Sequence, residues 1–159
     1  MNMNELGLCE GLRLALEELA PDIPYHFLEK TVLHVNRRKE NLSAQVRSAR
    51  GREALYLVPV LEWLLTEGAE GRGLVVLPTD QDVASAMGRL AALAEKAGVP
   101  LHAYGRDPDT ADSTARLAMG SAAVLSARLE DTGLDLAGFG FVVVDGLSRF
   151  TEPPISGAL

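Results

Sequence analysis

Short apolar segments alternate with helical patterns along most of the chain, and this alternation restricts the possible folds more than any single motif does. Strand-type segments are predicted at residues 42–46, 74–78, 100–105, 122–127 and 141–145. Parallel strands need a crossover connection, usually a helix, and such crossovers cover both faces of the sheet. The sequence therefore predicts an α/β fold, a three-layer parallel sheet with helices on both faces.

The length of the chain suits one globular domain. We expect a single domain over residues 1–159, with a helical lead-in at about 5–38 and a sheet core at about 41–150. Two finer expectations concern the connections. A short helix is predicted to end near Met119, and Pro59 is predicted to distort the helix "REALYLVPVLEWLL".

The charge of the chain bears on its partners and compartment. The net charge of −7 opposes binding to a polyanion, so RNA is disfavoured as a partner. No apolar run approaches the length of a membrane span, and the amino terminus does not resemble a signal peptide. We therefore expect a cytoplasmic protein that does not bind membranes. The three histidines and one cysteine show no metal-ligand spacing, so no metal site is expected.

Two local patterns point to a site at the carboxyl edge of the sheet. The loop in "AQVRSARGREA" lies between a predicted strand and a helix, where a phosphate-binding loop belongs. The apolar run at 141–144 predicts a fully buried strand, and Asp145 follows it directly. Open α/β sheets bind ligands at the carboxyl ends of their strands. An unrelated Rossmann-like domain, in which Asp145 contacts a ribose or a metal, is an alternative.

The order of these segments resembles the first RecA-like domain of DEAD-box RNA helicases. The resemblance rests on "LEKTV", "AQVRSARGREALYLVPVLEWLL", "GLVVLPTDQDVASAM", "VLSARL" and "GLDLAGFGFVVVDGLSRF", taken in sequence. The family has a Q motif, A-x-T-G-x-G-K-T, P-T-R-E-L-A, T-P-G-R-L and D-E-A-D at these places. The resemblance implies a RecA-like fold of the P-loop NTPase type, incomplete after the Walker-B strand.

The residues that differ from the family are those that would bind and hydrolyse ATP. Leu28 stands where the family has the glutamine that reads adenine, and Gly146 replaces the glutamate of D-E-A-D. The resemblance implies a vestigial nucleotide-binding site rather than a working one, formed by Ser48, Ala49, Gly51, Arg52, Glu53, Asp145 and Gly146. No catalytic residue is predicted, and ATP hydrolysis is not expected.

Glu53 is the most disruptive of these differences. It places a carboxylate at a helix amino terminus, where the helix dipole would otherwise attract phosphate. We expect Glu53 to pair with Arg47, Arg50 or Arg52, which would fill the anion site from within. The competing interpretation is that these three arginines still bind a phosphate.

The positions that would face RNA are also altered. Asp80 stands where P-T-R-E-L-A has arginine, and the T-P-G-R-L motif keeps only its last two residues. The resemblance implies that the vestigial RNA-facing residues are Pro78, Thr79, Asp80, Gly105 and Arg128.

These observations favour a non-catalytic, DEAD-box-like domain, a pseudo-helicase, that acts through protein contacts or self-association. A protein partner or a homo-oligomer is expected, and no cofactor. The alternative is a nucleotide- or RNA-binding module of a DEAD-box ATP-dependent RNA helicase, which would use ATP and Mg²⁺.

Overall fold

The computed structural model describes residues 3–19, 25–46, 52–66, 70–109 and 114–150. The α-helices are α1 (Glu10–Leu19), α2 (Tyr25–Thr31), α3 (Arg52–Thr66), α4 (Asp80–Lys96) and α5 (Ala122–Asp131). The strands are β1 (Arg72–Leu77), β2 (Leu101–Ala103), β3 (Leu117–Ser121) and β4 (Phe139–Val144). A π-helical segment, Val32–Arg37, follows α2, and short 3₁₀ helices lie at Met3–Leu6, Leu136–Gly138 and Leu147–Arg149. None of the helices in these ranges is long and apolar enough to span a membrane.

The strands form a parallel sheet with the order β2-β3-β1-β4. β1 lies between β3 and β4, and Leu74 pairs with Ala118 on one side and with Val142 on the other. The β1–β4 pairing is irregular between Arg72 and Gly73 and regular from there to Val76. This sheet confirms the predicted parallel architecture.

Helices cover both faces of the sheet. On one face, α1, α3 and α4 enclose the larger core, whose fully buried members include Leu12, Leu16, Leu57, Leu61 and Met119. On the other face, Val124 and Leu125 of α5 pack with Leu74, Ala118 and Phe139. Most of the buried apolar residues therefore lie on the face of the sheet that α1, α3 and α4 cover, and α3 contributes many of them.

The strand predicted at residues 42–46 is wrong. The structure describes these residues without regular secondary structure, and Leu42 is 42% exposed. Of the segment's alternating apolar residues, Val46 packs against the core. A strand is stable only where a neighbouring strand takes its backbone hydrogen bonds, and the described sheet pairs no strand with this segment.

The strand and helix predicted around residues 115–127 are in the wrong places. A short helix was predicted to end near Met119, and residues 117–121 instead form the fully buried strand β3. Residues 122–127 were predicted as a strand, and they begin α5 instead. Ser121 separates the two elements because its side chain accepts the Val124 N–H at 3.2 Å as the N-cap of α5.

The prediction that residues 141–144 form a fully buried strand is also wrong. β4 lies at the edge of the described sheet, and its burial alternates along the strand. Val142 is 53% exposed and Val144 is 47% exposed, whereas Phe141 and Val143 pack against the larger core. One face of this strand is therefore uncovered in the described part of the chain.

Candidate functional site

A cavity of about 160 Å³ lies where β1 and β4 end and where α3 and α4 begin. This is the edge at which open parallel sheets bind ligands. The first turns of the two helices and the residues after the two strands supply its charged lining, which consists of Arg52, Glu53, Asp82, Arg89, Asp145 and Arg149. The site can therefore be described as a set of charge pairs.

Arg52 and Asp145 form the first ion pair. The Asp145 N–H donates to the Val76 carbonyl at 3.0 Å, which continues the β1–β4 pairing by one residue and fixes the position of the carboxylate. Arg52 Nη2 lies 3.3 Å from Asp145 Oδ2. The Asp145 side chain is 14% exposed and that of Arg52 45%. The structure thus brings together two of the predicted vestigial nucleotide-binding residues, and they bind each other.

Glu53 pairs with a residue that the sequence did not suggest. Its Oε1 accepts from Arg89 Nη2 at 2.6 Å, and the Glu53 side chain is 11% exposed. Arg89 also donates to Ser85 Oγ at 2.6 Å, along the same face of α4. Of the three partners expected for Glu53, Arg52 binds Asp145 instead, and Arg47 and Arg50 lie outside the described residues.

The third ion pair joins α4 to the segment after β4. Arg149 Nη1 donates to Asp82 at 3.0 Å. The Thr79 side chain accepts the Asp82 N–H at 3.2 Å as the N-cap of α4 and donates to Asp82 Oδ2 at 2.7 Å. Hydrogen bonds from Thr79 and from Arg149 hold the pKa of the Asp82 carboxyl below its ordinary value. Asp82 therefore stays ionised, and able to pair with Arg149, to more acidic pH than an ordinary aspartate.

Gly146 follows Asp145 in a conformation that excludes most side chains. Its φ is +74°, in the left-handed region that glycine tolerates best. A Cβ at this position would lie 2.9 Å from Pro78 Cγ. A carboxylate side chain here would therefore strain the backbone and displace Pro78.

Tyr56 lies one helical turn after Arg52 and lines the same cavity. Within the described residues its buried hydroxyl has no hydrogen-bond partner. Burial raises the pKa of Tyr56 well above its ordinary value, and the negative charges of Asp145 and Glu53 add to the rise. The hydroxyl is therefore a neutral group for which the described residues provide no hydrogen bond.

Replacing Tyr56 with phenylalanine should stabilise the protein. Removing an unsatisfied buried hydroxyl should raise the free energy of unfolding by about 1 kcal/mol. The difference in free energy of unfolding between the variant and the native protein should increase above about pH 10. Tyrosine ionises there in the unfolded chain but not in this buried site, so only the native protein loses stability. Chemical denaturation of both proteins at neutral pH and at alkaline pH measures the difference.

Tyr104→Phe provides the matched control. The Tyr104 hydroxyl accepts from Arg72 Nη2 at 2.8 Å, so losing it should destabilise the protein by about 1–2 kcal/mol. If Tyr56→Phe destabilises the protein to the same extent, the Tyr56 hydroxyl has a partner, and its description as unsatisfied is incorrect.

The predicted RNA-facing residues are divided between two places. Pro78 lines the cavity, Thr79 caps α4, and Asp80 accepts a hydrogen bond from the Ser121 hydroxyl. Gly105 is exposed beyond β2. Arg128 is 3% exposed, and its guanidinium lies 5.3 Å from the centre of the Tyr104 ring. Arg128 is therefore buried against an aromatic ring.

Of the remaining predicted residues, Leu28 is fully buried in the larger core. The others lie outside the described residues, namely Arg47, Ser48, Ala49, Arg50 and Gly51. Their predicted roles stay predictions.

Sequence reasoning missed Tyr56, Arg89 and Arg149. A signal for Arg89 was present, because positions 82, 85, 86 and 89 share one face of α4. That face carries Asp82, Ser85 and Arg89, a polar stripe beside the apolar one. No local pattern indicated Arg149, whose partner lies 67 residues away.

The charges at this site cancel. Three arginines pair with three carboxylates, so the described lining has no net charge to attract an anion. The described residues also contain no group of three histidine, cysteine, aspartate or glutamate side chains placed to hold a metal ion. The arrangement holds the ends of α3, α4 and β4 together, and none of its carboxylates is left unpaired to activate water.

No protein-family model and no curated protein sequence matches this chain. Among solved structures, the chain is similar to the RNA-helicase Prp28 from Chaetomium thermophilum, whose crystal structure contains ADP, with a TM-score of 0.73 and 17% sequence identity. The similarity covers 92% of this chain, and the chain spans about 38% of the length of that helicase. The parallel sheet, the helices on both of its faces and this structural similarity together show that the chain has a RecA-like fold of the helicase type.

Proposed function

We propose that this chain is a non-catalytic, DEAD-box-like domain that acts through protein contacts and does not hydrolyse ATP. The ion pair between Arg52 and Asp145 carries the proposal. By the resemblance described above, Arg52 stands where the family has its phosphate-binding lysine, and Asp145 stands where it has the aspartate that holds Mg²⁺. A carboxylate paired with a guanidinium is a poorer ligand for a cation than a free one, and a phosphate would have to compete with Asp145 for Arg52.

The second ion pair supports the same conclusion. Glu53 and Arg89 neutralise each other beside the amino terminus of α3. A nucleotide phosphate placed there would have to displace the Glu53 carboxylate, which is 11% exposed and fixed at 2.6 Å from Arg89 Nη2. Separating a largely buried carboxylate from its partner is costly, so the residues of this site do not fit a magnesium nucleotide.

Hydrolysis would need a further group that the site lacks. Phosphoryl transfer to water depends on a residue that positions the attacking water beside the metal-binding aspartate. The adjacent position is Gly146, where a side chain would strain the left-handed backbone and place its Cβ 2.9 Å from Pro78 Cγ. The chain therefore has no substitute for that residue next to Asp145.

The size and charge of the site also favour a role in protein contacts. A cavity of about 160 Å³ is smaller than the range of about 300–1,000 Å³ that small-molecule sites usually occupy. The net charge of −7 opposes RNA, whose binding depends on neutralised phosphates. A small site whose charges cancel is better suited to contacts with other proteins than to binding a nucleotide.

Thermal unfolding with and without millimolar ATP and Mg²⁺ tests the proposal. A ligand that binds the native state raises the melting temperature by mass action, and we expect no shift for the native protein. Glu53→Gln combined with Asp145→Asn should release Arg52 and Arg89 from their carboxylates. This variant should gain a measurable shift with ATP or with inorganic phosphate.

The competing function is a nucleotide- or RNA-binding module that uses Arg52 on phosphate. A shift of several degrees in the native protein that disappears in Arg52→Ala would establish that function and refute ours. Arg13→Ala is the matched control, because Arg13 also pairs with a carboxylate, that of Glu17 at 2.8 Å, on the remote helix α1. A shift lost equally in both variants would indicate non-specific charge effects.

A further inference from the structure

One edge of the described sheet is formed by β4, a strand without charged residues. β4 pairs with β1, and in the described part of the chain its other edge has no strand beside it. Every residue of its sequence, FGFVVV, is apolar or glycine. Natural edge strands are usually protected by lysine, proline, a bulge or a covering element, and the regular part of this strand, residues 141–144, has none of the first three.

The backbone hydrogen bonds of β4 show which groups are available. The Asp145 N–H donates to Val76 O on the β1 side. Because successive residues of a strand direct their N–H groups to opposite edges, those of Val142 and Val144 point to the outer edge. The side chains of the same two valines are 53% and 47% exposed on the α5 side of the sheet. Among the described residues, backbone groups without a strand partner and uncovered apolar surface thus occur at the same two residues.

We infer that β4 pairs with β4 of a second copy of this chain, antiparallel, about a two-fold axis at Val143. This inference rests on the protein-contact function proposed above and names its partner. In this register Val142 of one copy lies opposite Val144 of the other, and both residues use their outward N–H and carbonyl groups. The two sheets then become one continuous sheet of eight strands, twice the four of one copy.

The lack of charge on β4 makes it a position where a second copy meets little local repulsion. Two acidic molecules, each with a net charge of −7, repel one another over most of their surfaces. The seam formed by two β4 strands brings no charged residue of either strand together. Asp145, just beyond the seam, is already neutralised by Arg52. Contact through β4 is therefore not opposed by like charges within the two strands themselves.

The residues that flank β4 enlarge the apolar surface. Leu136 before the strand is 44% exposed, and Leu147 after it is 62% exposed. Antiparallel pairing brings the beginning of one strand near the end of the other, so the two leucines of each copy lie at opposite ends of the shared seam. An interface related by a two-fold axis must be self-complementary, and an apolar strand with a leucine beyond each end meets that condition.

Sedimentation equilibrium of the native protein over a range of concentrations tests this inference. We expect the mass to rise from one chain to two. Val142→Lys combined with Val144→Lys should keep the protein monomeric, because it places lysines opposite each other at the centre of the seam. Leu14→Lys, at a residue of α1 that is 48% exposed, should dimerise like the native protein.

Amide hydrogen exchange of the native protein provides a test that does not depend on how the lysine variant folds. The N–H groups of Val142 and Val144 should become more protected as the concentration rises, whereas exposed amides elsewhere should not. A monomer at every concentration, a dimer that persists in a folded lysine variant, or amides of β4 whose exchange is independent of concentration would each overturn the inference. These readouts need no nucleotide, so they can fail while the ATP test succeeds, and the reverse also holds.

Discussion

Replacing Leu61 with alanine should destabilise the protein by about 2–5 kcal/mol, the usual cost of removing a buried leucine. Leu61 is fully buried in the larger core, where α3 lies against the sheet. The substitution removes apolar contacts and leaves a cavity that the surrounding side chains fill only in part. For a chain of this size the melting temperature should fall by roughly 10 °C. Denaturant and thermal unfolding followed by circular dichroism measure both quantities.

Leu14→Ala is the matched control for this substitution. The same side chain is removed, but Leu14 lies on α1 and is 48% exposed. Its loss should change the free energy of unfolding by about 0.5 kcal/mol or less. If the two variants are equally stable, α3 does not pack as described, and the positions of Arg52 and Glu53 at its first turn are in doubt as well.

The fold class was predictable because it depends on a repeated pattern. β1 and α4 were predicted nearly in full, since Thr79 marks the start of the helix and Gly98 follows its end with a φ of +89°. β3 and α5 were misplaced because residues 117–125 form one nearly continuous apolar run. In such a run periodicity does not separate a buried strand from a buried helix. The boundary depends on one hydrogen bond, from Val124 N–H to the Ser121 side chain.

The burial of β4 could not be predicted from its own residues. A run of valines is equally typical of a central strand and of an edge strand, and the difference depends on which strands lie beside it. The predicted strand at residues 42–46 fails for the same reason, because the described sheet offers it no neighbour. Strand pairing is long-range information that local patterns do not contain.

The candidate site was predictable in its location but not in its pairing. Asp145 was identified because it directly follows an apolar strand, where sites are usual, and Arg52 because the resemblance places it at the phosphate loop. Their mutual contact joins positions far apart in sequence, and so does the contact between Glu53 and Arg89, which are 36 residues apart. Which arginine pairs with which carboxylate depends on how α3 and α4 pack against the sheet.

A second large loss of stability is expected from a substitution at the contact between α3 and the sheet. Gly73→Ala should destabilise the protein by about 1–3 kcal/mol, as overpacking of a core usually does. A Cβ at Gly73 would lie 2.7 Å from Val60 Cγ1 and 3.3 Å from Leu117 Cδ1. Val60 is β-branched and lies inside a helix, so it has little freedom to rotate away. Denaturant unfolding of the single variant measures the loss.

The combination of Gly73→Ala with Val60→Ala tests whether this one contact is the cause. Val60→Ala removes the methyl group that the new Cβ would meet, so the double variant should be more stable than the sum of the two single changes predicts. We expect a coupling of about 1–2 kcal/mol, within the range measured for residues in contact.

Gly88→Ala is the matched control, since Gly88 lies on α4 and a Cβ there meets nothing within 4 Å. This substitution should stabilise the helix by about 0.5–1 kcal/mol. If Gly73→Ala is tolerated as well as Gly88→Ala, or if the two core changes are simply additive, then α3 does not approach β1 as closely as the structure shows.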